Sequence, residues 1–101
     1  MEPRTDKWDE GSLFQPWVVK EGDFYYMWYA ARNGPEAIGF AWSLDGINWV
    51  RTDKALFTVT NSQYYGKPSV IKVNDTWHMW FLDEGSDGAK IRYVTTDKNP
   101  D

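Results

Sequence analysis

Residues 24–29 read FYYMWY, and residues 76–81, fifty-two positions later, read TWHMWF. In an extended strand successive side chains point to opposite faces. One face of the first stretch carries Phe24, Tyr26 and Trp28, and the other carries Tyr25, Met27 and Tyr29. Both faces are apolar, whereas an antiparallel sheet with one wet face alternates apolar with polar residues. A sheet covered on both sides, in a chain without helical periodicity, lies between other sheets. Four-stranded sheets stacked around an axis meet that condition, and they form a β-propeller.

The repetition extends upstream, where PWVVKEGD at 16–23 returns as PSVIKVND at 68–75. Val19/Ile71, Tyr25/Trp77 and Tyr29/Phe81 are like for like. A period near 50 residues fits propeller blades, because the helical repeats run shorter. Gly22-Asp23 and Asn74-Asp75 are turn signals, so 16–20 with 24–30 and 68–73 with 76–82 read as hairpins. Third strands follow at 37–43 and 89–96, and a fourth at 49–52 that 56–60 continues. The expected fold is all-β, with two four-stranded antiparallel propeller blades in the chain.

The unit boundaries that follow are an arm over residues 1–13, a first blade over 14–60 and a second over 61–101 without its outer strand. RTDK at 4–7 recurs at 51–54, so the arm copies the segment after Trp49. A two-unit chain does not pair its own arm without curling shut, but it lends the arm to a neighbour. Two isolated blades also expose broad aromatic faces, more apolar surface than soluble monomers carry. Head-to-tail ring closure removes both problems. The expectation is a homo-oligomer with N-terminal strand exchange, a trimer of six blades before a dimer or a larger ring.

Composition bounds the function. The 101 residues suffice for one small domain. A net charge of -4 gives no basic footprint for nucleic acid. No cysteine is present for disulfides or thiolate metal sites. No apolar run approaches the roughly 20 residues of a membrane-spanning helix, and MEPRTDKWDE at the start does not read as a secretory signal. The compartment stays open, cytoplasmic by default. Aromatic residues make up 18% of the chain, seven of them Trp, and large rings first of all fill cores.

The run IGFAWSLDGINW at 38–49 resembles the S-x-D-G-x-x-W signature of five-bladed propellers of the glycoside hydrolase 43, 32, 62 and 130-like group. There a P-x-V-I-x-x-x-G-x-Y-Y-M-W-Y pattern precedes it, as residues 16–29 do here. It is also similar to the Asp-box. These motifs are scaffold, and the residues agree: Asp45 suits a turn capped by its side chain, and Gly46 suits positive φ. The resemblance implies acidic residues near the starts of innermost strands, an Asp base, a second Asp and a Glu acid from different blades. The matching positions, just before Pro16 and Pro68, are Gln15 and Lys67. Neither supplies the carboxylate pair of glycoside cleavage.

Other carboxylates lie near the same end: Glu10 ahead of the first inner strand, and Asp83 and Glu84 after the second strand of the second unit. These are the weak catalytic candidates, against a plain reading as solvated loop charges. His78, the only histidine, takes the place of Tyr26 in mid-strand and reads as packing. Without a second His or any Cys, no metal site is expected, and no cofactor motif appears.

The leading functional reading is a non-catalytic propeller module that binds carbohydrate at the funnel face. Trp17, Tyr64 and Tyr65 are its stacking candidates, and Gln15, Arg32, Asn33 and Lys67 its hydrogen-bonding groups. The alternatives are a glycoside hydrolase, or its remnant, using the loop carboxylates, and a fragment of a longer propeller protein with no function alone.

Overall fold

Apolar, aromatic-rich runs and two-residue turns lay this chain out as strands, and a computed structural model shows how they pair. It describes residues 1–2, 11–32, 36–52, 54–56, 64–85 and 88–98. The strands are β1 (Ser12–Glu21), β2 (Phe24–Arg32), β3 (Glu36–Ser43), β4 (Val50–Arg51), β5 (Tyr64–Val73), β6 (Thr76–Gly85) and β7 (Gly88–Thr96). Among the described residues there is no helix. The chain is all-β.

The strands form one open sheet in the order β1-β2-β3-β5-β6-β7, with β4 also on β3. All neighbours are antiparallel except β3 and β5, which among the described residues meet in one parallel pair, Glu36 with Tyr64. Two antiparallel groups thus continue into one sheet at that pair. The strands run longer at several ends than the sequence suggested, because polar residues at strand ends carry no alternation. β1 starts at Ser12, inside the stretch read as an arm. β4 is only two residues long, and residues 57–60 lie outside the described residues.

The two groups repeat one another in register. Trp17 pairs with Trp28 and Glu21 with Phe24, while Ser69 pairs with Trp80 and Val73 with Thr76. Both hairpins turn through a first residue of positive φ, Gly22 at 58° and Asn74 at 55°. Gly accepts that region without cost, and Asn is among the side chains that tolerate it best. Both inner strands break register at a bulge, between Phe14 and Trp17 and between Gly66 and Ser69.

The groups fold face to face. Tyr26, Trp28, Ile38 and Phe40 of the first pack with Val70, Trp77, Met79 and Phe81 of the second, all buried. Trp77 lies edge-on to Tyr26 at 5.7 Å and tilted on Trp28 at 5.6 Å. A smaller cluster, Tyr29, Ala31 and Ala41 with Leu13, Met27 and Trp49, occupies the opposite face of the first group. Aromatic pairs of this kind add about 0.5–1.5 kcal/mol each beyond the area they bury.

The loop after β3 is built by Asp45. Its carboxylate accepts the Ile47 and Asn48 backbone N–H groups at 2.9 and 2.8 Å, the Asn48 side-chain amide at 2.9 Å and the Ser43 hydroxyl at 2.9 Å. These donors hold its pKa well below the usual carboxylate range, the Asn48 and Ile47 backbone bonds contributing most. Gly46 follows at φ 77°, with the Tyr25 ring 3.8 Å from where its Cβ would stand.

Candidate ligand-binding site

Polar residues gather at one end of the sheet. Cross-strand pairs run Ser12–Arg32, Arg32–Glu36, Glu36–Tyr64, Tyr64–Glu84 and Glu84–Ala89, a row crossing every strand except β4. Strands lie about 4.8 Å apart, so the members of the row are cross-strand neighbours. Arg32 Nη2 stands 3.8 Å from Glu36 Oε1. The guanidinium also lies 5.9 Å from the Phe14 ring and 6.0 Å from that of Tyr64, within cation–π reach.

Glu36 is the least solvated of these charges, its side chain 12% exposed against 57% for Arg32. Burial pushes its carboxyl pKa up, Arg32 opposes this, Glu84 adds to it and Lys67 opposes it. Desolvation disfavours the charged form, and a like charge nearby does the same. The result is an acid that holds its proton more tightly than a free glutamic acid does.

Gln15 and Lys67 sit at the two bulges, with φ of 54° and 51°. Each precedes a proline, which disfavours the right-handed helical region for the residue before it. A left-handed conformation costs a non-glycine residue about 1–2 kcal/mol, and bulges are often found where a side chain is re-aimed next to a site. The Gln15 amide oxygen accepts the Lys67 backbone N–H at 2.9 Å. Gly66 leaves the space for it: a Cβ there would lie 2.9 Å from Gln15 Oε1 and 3.7 Å from Glu36 Cδ.

The structure therefore brings Gln15, Arg32, Tyr64, Lys67 and Glu84 to one end of the molecule. Three other candidates make contacts within the fold, although Trp17 stays 40% exposed. Trp17 donates its indole N–H to the Val70 carbonyl at 2.9 Å, tying one group to the other. Tyr65 stands edge-on to Phe81 at 5.5 Å. Asp83 is buried on the core side of β6 and is held by Arg92 Nε at 2.7 Å, so its charge is paired as burial requires. Glu10 and Asn33 lie outside the described residues.

Sequence reasoning missed Glu36. It stands one residue ahead of the strand read at 37–43, and it opens the otherwise apolar run EAIGFAWS. That lone carboxylate on a strand buried on both faces was the available signal. Among the described residues no group of three or more metal-ligating side chains is gathered.

No family model matches the chain. It is similar to two uncharacterised proteins of Mycobacterium tuberculosis, one from strain CDC 1551 / Oshkosh and one from strain ATCC 25618 / H37Rv, with 31% identity over 105 residues to each. The match takes in 93% of this chain and 34% of each relative. The chain thus spans about a third of the length of the curated relatives it matches.

Proposed function

We propose that the chain is a pair of propeller-type repeats that binds carbohydrate at the Arg32–Glu36–Tyr64–Glu84 row, without catalysis. The observation that carries this reading is the row itself. An exposed aromatic ring, Tyr64, stands between a carboxylate on either side, with a guanidinium against it. A sugar presents an apolar face to a ring and hydroxyls in its plane that both donate and accept, and few polar groups placed around an aromatic surface suffice to orient such a ligand. Gln15 and Lys67 flank the row with further hydrogen-bonding groups. The length of the relatives supports the propeller part. They are about three times as long as the matched stretch, room for about six such repeats, within the four to eight blades usual for propellers.

The test is titration of the chain with a panel of neutral and acidic mono- and oligosaccharides, followed by amide and indole NMR shifts. Saturable shifts confined to the row are expected, abolished in Tyr64→Ala and weakened in Glu84→Gln at unchanged melting temperature. No saccharide giving a shift at millimolar concentration would sink the proposal.

One observation favours a second reading, a glycoside hydrolase. Glu36, with its raised pKa, stands two strands from the exposed Glu84. Acid and base carboxyls need environments that push their pKa values apart. Two strand spacings put the backbones about 10 Å apart, and Glu side chains inclined toward one another from there fall within the about 6.5–9.5 Å carboxyl separation of inverting enzymes. This reading predicts turnover of aryl glycosides that Glu36→Gln abolishes. Ligand binding without turnover removes it.

A further inference from the structure

The second strand group carries an uncovered copy of a surface that the first group buries. In the first group the rings of Tyr26, Trp28 and Phe40 form a triangle with centroid separations of 6.3, 5.7 and 5.4 Å. The residues in the same repeat positions, His78, Trp80 and Tyr93, form the same triangle at 6.1, 5.9 and 5.0 Å. The register confirms the equivalence, since Trp28 pairs with Phe40 as Trp80 pairs with Tyr93. His78 Nδ1 and the Tyr93 hydroxyl lie 2.7 Å apart, within hydrogen-bond distance.

The first triangle is covered by Trp77 and Val70 of the second group. The second triangle is open: Trp80 is 38% and Tyr93 51% exposed, with Ile71 at 46% and Ile91 at 71% around them. What would cover it is set by the repeat. The counterpart of Trp77 is Tyr25, and each ring carries a lysine at the same height, Lys72 Nζ 5.5 Å from Trp77 and Lys20 Nζ 5.5 Å from Tyr25. The counterpart of Val70 is Val18. Val70 is 2% exposed inside the internal contact, whereas Val18 is 49% exposed on the outer face of β1.

We propose that the His78–Trp80–Tyr93 layer is an interaction surface for a second copy of this chain, which lays its β1–β2 face with Val18 and Tyr25 on it. At Val18 and Tyr25 the contact repeats between copies what the chain makes within itself at Val70 and Trp77, while Tyr29, the counterpart of Phe81, is already buried within the chain beside Leu13, Met27 and Trp49. The contact is head to tail, since donor and acceptor faces differ, and copies added in this way close into a ring or continue as a filament. Two polar links of the internal contact are not repeated. Trp17 becomes Ser69, and Glu21, which pairs with Lys72 at 2.9 Å, becomes Val73. The contact between copies is therefore apolar in character and little affected by salt. It does not depend on the sugar-binding reading, because the row lies at the strand ends and the layer in mid-strand.

The experiment is the native mass of the chain by light scattering on a sizing column, with two surface variants. The wild-type chain is expected as a discrete oligomer, three chains by the ring argument. Trp80→Ala removes the donor face and Val18→Asp the acceptor face, and each alone is expected as a folded monomer by circular dichroism. Mixed, they form a one-to-one pair, because each retains the face that the other lost. A wild-type monomer at the highest soluble concentration overturns the proposal and leaves the face to a different partner. So does an oligomer that survives both substitutions, or a mixture that stays monomeric.

Discussion

The side chain of Gln15 accepts the backbone N–H of Lys67 at 2.9 Å, which ties together the two left-handed bulge residues of the repeat, 52 positions apart. Equivalent positions in a repeat rarely touch. Here they do because both bulges fall at the same end of adjacent strand groups, where Gly66 admits the Gln15 amide.

Gln15→Ala is expected to lower stability by about 1 kcal/mol, the net worth of one hydrogen bond. Gly66→Ala places a methyl group where the Gln15 oxygen stands and should lower it by a similar amount. Because both remove the same bond, the double variant is expected to cost little more than either alone. Urea denaturation of the three variants measures this. Full additivity would show that the bond is not what the two residues share.

Glu36 makes stability fall with rising pH. Its carboxyl holds a proton to higher pH in the folded chain than in the unfolded one, where it titrates near about 4.3. Between those two values the folded state binds more protons, so stability decreases as pH rises through the window and the penalty is complete above it. Glu36→Gln should therefore melt higher than wild type at neutral pH, with the gain fading as pH falls below the ordinary Glu range. Melting curves across that range test the sign. Equal melting points at neutral pH would contradict the desolvation of Glu36.

Asp45 acts in the opposite sense. Its folded pKa is depressed, so its contribution is complete above the ordinary Asp value of about 3.9 and is lost as pH falls toward the folded value. Carbon-detected NMR should find its carboxyl still ionised below the ordinary Asp value. Asp45→Ala frees the Ile47 and Asn48 N–H groups and is expected to loosen residues 44–49 first, seen as faster amide exchange there than in β2.

Trp17→Phe keeps a ring between the strand groups but leaves the Val70 carbonyl without its indole donor. A loss of about 1–3 kcal/mol follows from an unsatisfied part-buried acceptor, with saccharide titrations unchanged. A selective loss of saccharide binding at unchanged stability would return Trp17 to the ligand site.

The repeat, the all-β class and both hairpin turns were legible because each has a local signature: recurring aromatic pairs, short apolar runs without helical periodicity, and Gly or Asn followed by Asp. Trp17 reads alike as a sugar platform and as packing until Val70 is seen opposite its N–H. Glu36 was obscured by its neighbours at the turn. The junction of the two strand groups left no trace in the sequence at all. Among the described residues its backbone pairing is Glu36 with Tyr64, and these two have nothing in composition to mark them as partners.

That junction also bears on how many ligands the proposed assembly would hold. In the second strand group the place of Glu36 is taken by Ala89, across from Glu84 as Glu36 is across from Arg32. The place of Tyr64 is held in the first group by Ser12, across from Arg32 as Tyr64 is across from Glu84. A junction between copies would join an alanine to a serine, with neither carboxylate nor ring. Saturation is thus expected at one ligand per chain, half the number of repeats, however many copies associate.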